Sequence, residues 1–216
     1  MPESPRPLPD PRPADWRERL VDYRRKALDG PELRRRAATA LVLVDPTDGA
    51  APEILFIERA QRAGDPWSGQ VSFPGGHADP SDPDLVATAR RESYEELGLT
   101  LGDPLTILDD RPVHTGPHTV VTPHVFVVTA RPELRLDPRE VNRAIFVELA
   151  ELVAPTRRTI YRWERDGARF RYPAITLDER SILWGLTYRS VANFVQILGH
   201  DLPERVDERG DERKEP

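Results

Sequence analysis

Between Phe73 and Leu99 the chain reads FPGGHADPSDPDLVATARRESYEELGL, a Pro-Gly-Gly turn, a helical stretch and a glycine stop in that order. Glu92, Glu95 and Glu96 stand at i, i+3 and i+4, so a helix places all three carboxylates on one face. Like charges this close repel, and a helix gains nothing by clustering them unless a cation sits among them. Mg2+ and Mn2+ prefer hard oxygen ligands and keep room for waters and phosphates, so either suits such a face. The opposite face offers Val86, Ala89, Ser93 and Leu97, spaced to pack on a sheet. Alone, E-x-x-E-E describes an ordinary solvated stripe. The turn ahead of it, Arg91 beside Glu92 to hold a glutamate in place, and Gly98 just past the last acid make it a built loop-helix-loop. The helix is expected over residues 82–97, with Ser81 or Asp82 as its N-cap.

A sheet for that helix to lie on is legible in the rest of the chain. AATALVLV (37–44) and ILFI (54–57) are short apolar runs ended by Asp-Pro or charged residues, as buried strands are. Residues 69–76 begin as a strand, and 105–108, 119–129 and 144–147 read as further strands. Residues 148–153 form a short helix in this reading, and 161–172 a hairpin turning at Asp166-Gly167. Residues 15–28 and 179–198 carry apolar positions at helical spacing. There is no internal repeat, and strands interleaved with few helices imply one mixed α/β domain.

The segment from Gly76 to Leu99 resembles the Nudix box, G-x5-E-x7-R-E-U-x-E-E-x-G-U, with Gly76, Arg91, Glu92, Glu95, Glu96, Gly98 and Leu99 in place. Asp82 fills the acidic position, the spacer after it is one residue longer, and Ser93 stands at the first aliphatic position. The resemblance implies an α/β/α sandwich with a mixed β-sheet and metal-dependent hydrolysis of a diphosphate link. Glu92 and Glu96 would be the principal ligands of Mg2+ or Mn2+. Glu95 would share a second metal or position water, Gly75 would offer its carbonyl, and Arg91 would orient a glutamate. Charge neutralisation at phosphorus and an acidified water then give in-line attack. For the general base, Glu95 and Glu140 both qualify, Glu140 because 137–141 reads as a loop near the site.

Upstream, LFIERA (55–60), GQVSFPGG (69–76) and the loop DPSD (79–82) are similar to the coenzyme A pyrophosphatase branch, as is the late run from RYP at 171 to ILWGL at 182–186. The likeness spans about residues 36–198 and implies coenzyme A or an acyl derivative as substrate, cut to 4′-phosphopantetheine and adenosine 3′,5′-bisphosphate. Trp67 stands where the branch has His, in a stretch longer by one residue. It either stacks on a base or closes the loop over the core. Arg59 and Arg62 are candidate phosphate holders, and Arg59, Trp67 and Gly76 are the candidate substrate residues. ADP-ribose, dinucleotides and nucleoside triphosphates are the alternative substrates, and a non-catalytic ligand sensor is the alternative of another class.

Composition narrows the partners. A net charge of −6 disfavours a phosphate-tracking nucleic-acid surface, and with it RNA decapping. The absence of cysteine removes disulfides, thiolate metal sites and cysteine nucleophiles. His77, His114, His118 and His124 form no compact ligand set and read as loop or strand-end residues. Six prolines in the first thirteen residues, without an apolar run, suggest a solvated arm over 1–14 rather than a signal or membrane anchor. The charged stretch 201–216 reads as a disordered tail, leaving 15–200 as the domain. A cytoplasmic home fits, and the resemblance makes a homodimer plausible.

Overall fold

The computed structural model describes residues 8–30, 35–62, 64, 67–113, 119–165 and 168–204. In chain order its elements are α1 (Trp16–Asp22), β1 (Arg35–Val44), β2 (Glu53–Arg59), β3 (Val71–Ser72), β4 (Gly75–His77), α2 (Leu85–Leu97), β5 (Thr106–Ile107) and β6 (Arg111–Val113). These are followed by β7 (Thr119–Val128), β8 (Val141–Glu148), α3 (Leu149–Val153), β9 (Arg158–Arg165), β10 (Ala168–Thr176), β11 (Ile182–Leu183) and α4 (Gly185–Ile197).

Alternation along the central strands sets the layers. In β1, Ala38, Ala40 and Val42 face one side, in a cluster with Ala89 and Leu97 of α2. Leu41 and Leu43 face the other, among Trp16 and Leu20 of α1 and Val191, Phe194 and Val195 of α4. β2 repeats the division, with Leu55 and Ile57 toward α2 and Ile54 and Phe56 away from it. A period of two with both faces apolar requires cover on both sides, and the result is an α/β/α sandwich.

The sheet is mixed. β1 runs parallel to β7 from Arg35 opposite Thr119 to Val44 opposite Val128, and antiparallel to β2. β2 and β4 share one edge of β1: Val42–Val44 pair with β2, whereas Ala37–Thr39 pair with Gly75–His77. That replacement brings the glycine turn under α2. A second sheet, β11-β10-β9, is tied to the first through Arg143, which donates to Glu58 at 2.9 Å, Asp178 at 2.8 Å and Ser181 at 2.6 Å.

Three expectations need correction. The first helix ends at Asp22 rather than at 28, because residues 23–28 run along the domain and the N–H groups of Lys26 and Leu28 donate to Asp109 and Asp110, each at 2.8 Å. The last helix begins at Gly185 rather than 179, since Ile182 and Leu183 first pair with Thr176 and Ile175. The hairpin strands are longer than 161–172, and the turn at 166–167 lies outside the described residues. Arg12 is bonded to Asp45 at 2.6 Å, His200 to the Pro11 carbonyl at 2.6 Å, and Leu202 is buried in the core. Among the described residues no helix is long and apolar enough to cross a membrane.

Candidate active site

The site begins with two glycines in a strand squeezed between β1 and α2. Gly75 has φ 150°, and a Cβ there would run into the Ala38 carbonyl oxygen and come within 2.7 Å of the Thr39 Cα. At Gly76 a Cβ would lie 2.5 to 2.7 Å from the carboxylate of Glu92. Glycine here is therefore a matter of space for the acid as much as of backbone conformation. The Gly75 N–H donates to Glu96 Oε2 at 2.9 Å.

The three acids share a helix but not an environment. Glu96 is 1% exposed, the Glu92 side chain 14% and the Glu95 side chain 55%. Burial pushes Glu96 up to about 8, opposed by the Gly75 N–H and reinforced by the negative charge of Glu92. Burial also raises Glu92, with Arg91 pulling the other way. Glu96 and Glu92 thus form a desolvated, mutually repelling pair, whereas Glu95 faces water.

Arg91 organises the rim. Its guanidinium meets Asp82 through two bonds of 3.0 Å, donates to the His77 carbonyl at 3.0 Å, and reaches Glu92 at 2.9 Å and Glu95 at 3.0 Å. Hydrogen bonds from Arg91 hold the Asp82 carboxyl well below the usual carboxylate range. Asp82 also accepts from the Asp79 N–H and the Thr88 hydroxyl, both at 2.9 Å. With Asp82 so occupied, helix capping falls to Asp84, which accepts from the Ala87 N–H at 2.8 Å. The expected cap at Ser81 or Asp82 is thereby corrected, and α2 starts at Leu85.

The far end of α2 brings in a loop from across the fold. Gly98 adopts φ 65°, with its N–H on the Tyr94 carbonyl at 2.8 Å and that of Leu99 on Ser93 at 3.2 Å. The Asp137 N–H then takes the Glu96 carbonyl at 2.9 Å, and the Glu140 N–H takes the Asp137 carbonyl at 3.0 Å. Glu140 is near enough for its charge to raise both Glu92 and Glu96, as the loop reading anticipated. Arg59, at the end of β2, opposes the shift of Glu96 with its positive charge. Arg62 bonds the Arg139 carbonyl at 2.9 Å and Glu140 at 3.3 Å. Trp67 is half-buried, its carbonyl accepting from the Gln70 N–H at 3.2 Å.

The histidines divide. His77 is exposed and His124 buried, with Nδ1 at 3.0 Å from the Thr122 carbonyl. Burial pushes His124 down to about 4. His114 and His118 lie outside the described residues. From sequence Asp137 enters only as the start of the 137–141 loop, and its backbone tie to α2 is not expected.

Among the described residues no group of three or more Asp, Glu or His side chains forms a ready metal cage. Arg91 occupies Glu92 and Glu95, and Glu96 is turned to Gly75. The donor chemistry nevertheless fits a hard divalent cation, because the buried Glu96 carboxylate, disfavoured further by the negative charge of the half-buried Glu92, is relieved by a positive charge between them.

Residues 33–164 match the NUDIX domain. The chain belongs to the Nudix family. It is 36% identical over 170 residues to the human mitochondrial coenzyme A diphosphatase NUDT8, covering 77% of this chain and 72% of that protein. An uncharacterized Nudix hydrolase, NudL of Yersinia pestis, is 29% identical over 162 residues, 75% of this chain and 79% of that protein. Among solved structures, a MutT/nudix family protein from Enterococcus faecalis aligns with a TM-score of 0.54 over 80% of this chain and 65% of that one. At 15% identity that likeness is one of fold. The chain is a Nudix pyrophosphohydrolase that resembles the coenzyme A pyrophosphatase branch.

Proposed function

We propose that this Nudix enzyme hydrolyses the diphosphate of coenzyme A or an acyl derivative, using Mg2+ or Mn2+ held by Glu92 and Glu96. The metal assignment rests on the buried Glu96 and half-buried Glu92, seated against Gly75 and Gly76. The substrate assignment rests on the likeness to NUDT8 and on the upstream LFIERA and GQVSFPGG runs. A divalent cation bound there supplies positive charge against the diphosphate oxygens. The Gly75 N–H fixes the Glu96 carboxylate, leaving the Gly75 carbonyl as a further candidate ligand. Arg91, anchored by Asp82, steadies Glu92 and Glu95. Arg59 places a cation beside the carboxylate pair, where a substrate phosphate can be received. Glu140 and Glu95, each solvent-exposed and paired with an arginine, are the carboxylates that would take a proton from attacking water.

The test is a phosphatase-coupled screen of coenzyme A, ADP-ribose, dinucleotides and nucleoside triphosphates with Mg2+ or Mn2+, backed by mass spectrometry. Preferential release of 4′-phosphopantetheine and adenosine 3′,5′-bisphosphate is expected. Preference for another diphosphate would remove the coenzyme A assignment, and no cleavage of any would remove the hydrolytic one.

A further inference from the structure

Two rims of the site meet at one exposed ion pair. The loop after β2 is closed on itself: the Ser68 hydroxyl accepts from the Arg62 N–H and donates to the Arg62 carbonyl, both at 2.8 Å, while the Gly69 N–H takes the Arg59 carbonyl at 3.2 Å. These bonds fix the backbone from which the Arg62 side chain projects. On the opposite rim, Glu140 has its N–H on Asp137 and its carbonyl on the Ala60 N–H at 2.8 Å, so its backbone is fixed as well. The Arg62 Nε also donates to the Arg139 carbonyl at 2.9 Å, which leaves the contact with Glu140 as the looser of its two bonds. Arg62 and Glu140 are 47% and 42% exposed and meet at 3.3 Å, a long contact between solvated groups, which is weak and readily exchanged.

A guanidinium prefers the paired oxygens of a phosphate to one oxygen of a distant carboxylate, because phosphate offers two short charged hydrogen bonds in the fork geometry.

The geometry points to an exchange in which a phosphate of the diphosphate substrate displaces Glu140 from Arg62, coupling substrate capture to release of a carboxylate beside Glu92 and Glu96. Arg62 is then a substrate-binding residue, and Glu140 its resting-state competitor. The inference rests on the hydrolytic reading above and deepens it.

An ordinary surface bridge and an exchanging pair differ in sign when the acid is removed. The probe is the methylene-bridged analogue of ADP, whose P–C–P link water does not cleave, titrated calorimetrically into the protein with Mg2+. Glu140→Gln is expected to bind it two- to fivefold more tightly, since the competitor for Arg62 is neutralised. Arg62→Gln should bind about tenfold more weakly, and the double variant should follow Arg62→Gln. Weaker or unchanged binding by Glu140→Gln overturns the exchange, as does wild-type affinity in Arg62→Gln. Thermal unfolding of each variant identifies any general loss of fold. Wild-type hydrolysis of a diphosphate without the expected affinity pattern overturns the exchange but leaves the hydrolytic reading. The affinity pattern without any hydrolysis does the reverse.

Discussion

The Gly75 N–H and the Glu96 carboxylate meet at 2.9 Å, joining the glycine strand to the most buried acid of α2. That one bond supports an acid 1% exposed whose neighbour Glu92 is also negative. The protein thus carries at Glu96 a group that destabilises the metal-free fold.

Glu96→Gln is therefore expected to raise the stability of the metal-free protein by about 1 kcal/mol or more, because Gln retains an acceptor for Gly75 without a buried charge. The same change should abolish stabilisation by Mg2+ and cut turnover by orders of magnitude. Thermal unfolding in EDTA and in Mg2+, beside kcat, reads all three. A lower melting temperature in EDTA would show that Glu96 is not under charge strain.

Gly76→Ala places a methyl against the Glu92 carboxylate. Displacing that carboxylate should lower kcat/KM at least tenfold, with a stability cost of about 1–3 kcal/mol from overpacking. Activity assays at several Mg2+ concentrations check it, and unchanged kcat/KM would mean that Glu92 has room to move without consequence.

Asp82→Asn removes the charge behind both bonds to Arg91. The Asp82 side chain is only 6% exposed, so the loss should cost about 2 kcal/mol, less than a fully buried pair. Arg91 then loses its anchor, and kcat should fall with KM little changed. A rise in KM alone would place Asp82 in substrate binding instead.

His124 makes stability depend on pH. Burial lowers it to about 4 from an ordinary 6.5, with the nearby positive charge of Arg25 adding to the effect and the Thr122 carbonyl opposing it. The unfolded chain then binds the extra proton first, so this contribution is complete above 6.5 and is lost as pH falls toward 4. Its full size is on the order of 3 kcal/mol. Urea unfolding between these pH values should show a shallower slope for His124→Asn, which keeps a donor for Thr122. An identical slope would assign the pH dependence to carboxylates elsewhere.

Spacing alone put Glu92, Glu95 and Glu96 on one face and Ala89, Ser93 and Leu97 on the other, because both follow from the helical period. Their unequal burial was not legible, since it depends on β4 beneath and on the 137–140 turn, contributed by distant parts of the chain. The cap shows the same limit. Asp82 and Asp84 satisfy the same local rule, and the choice belongs to Arg91, which takes the first and leaves the second to the helix. Residues 23–28 carry a helical pattern but run extended because Asp109 and Asp110 bind their backbone N–H groups. In each case a side chain far along the sequence outbids local preference.

The shared edge of β1 bears on the order in which the enzyme comes into being. β4 and α2 lie in the chain between β1 and its parallel neighbour β7, so the long loop that carries the acids must close before the central pairing is complete. Such nonlocal parallel pairing is slow. A nascent chain exposes its acids on a helix well before Asp137 can fix its far end, and activity should appear only with the last, slowest phase of refolding.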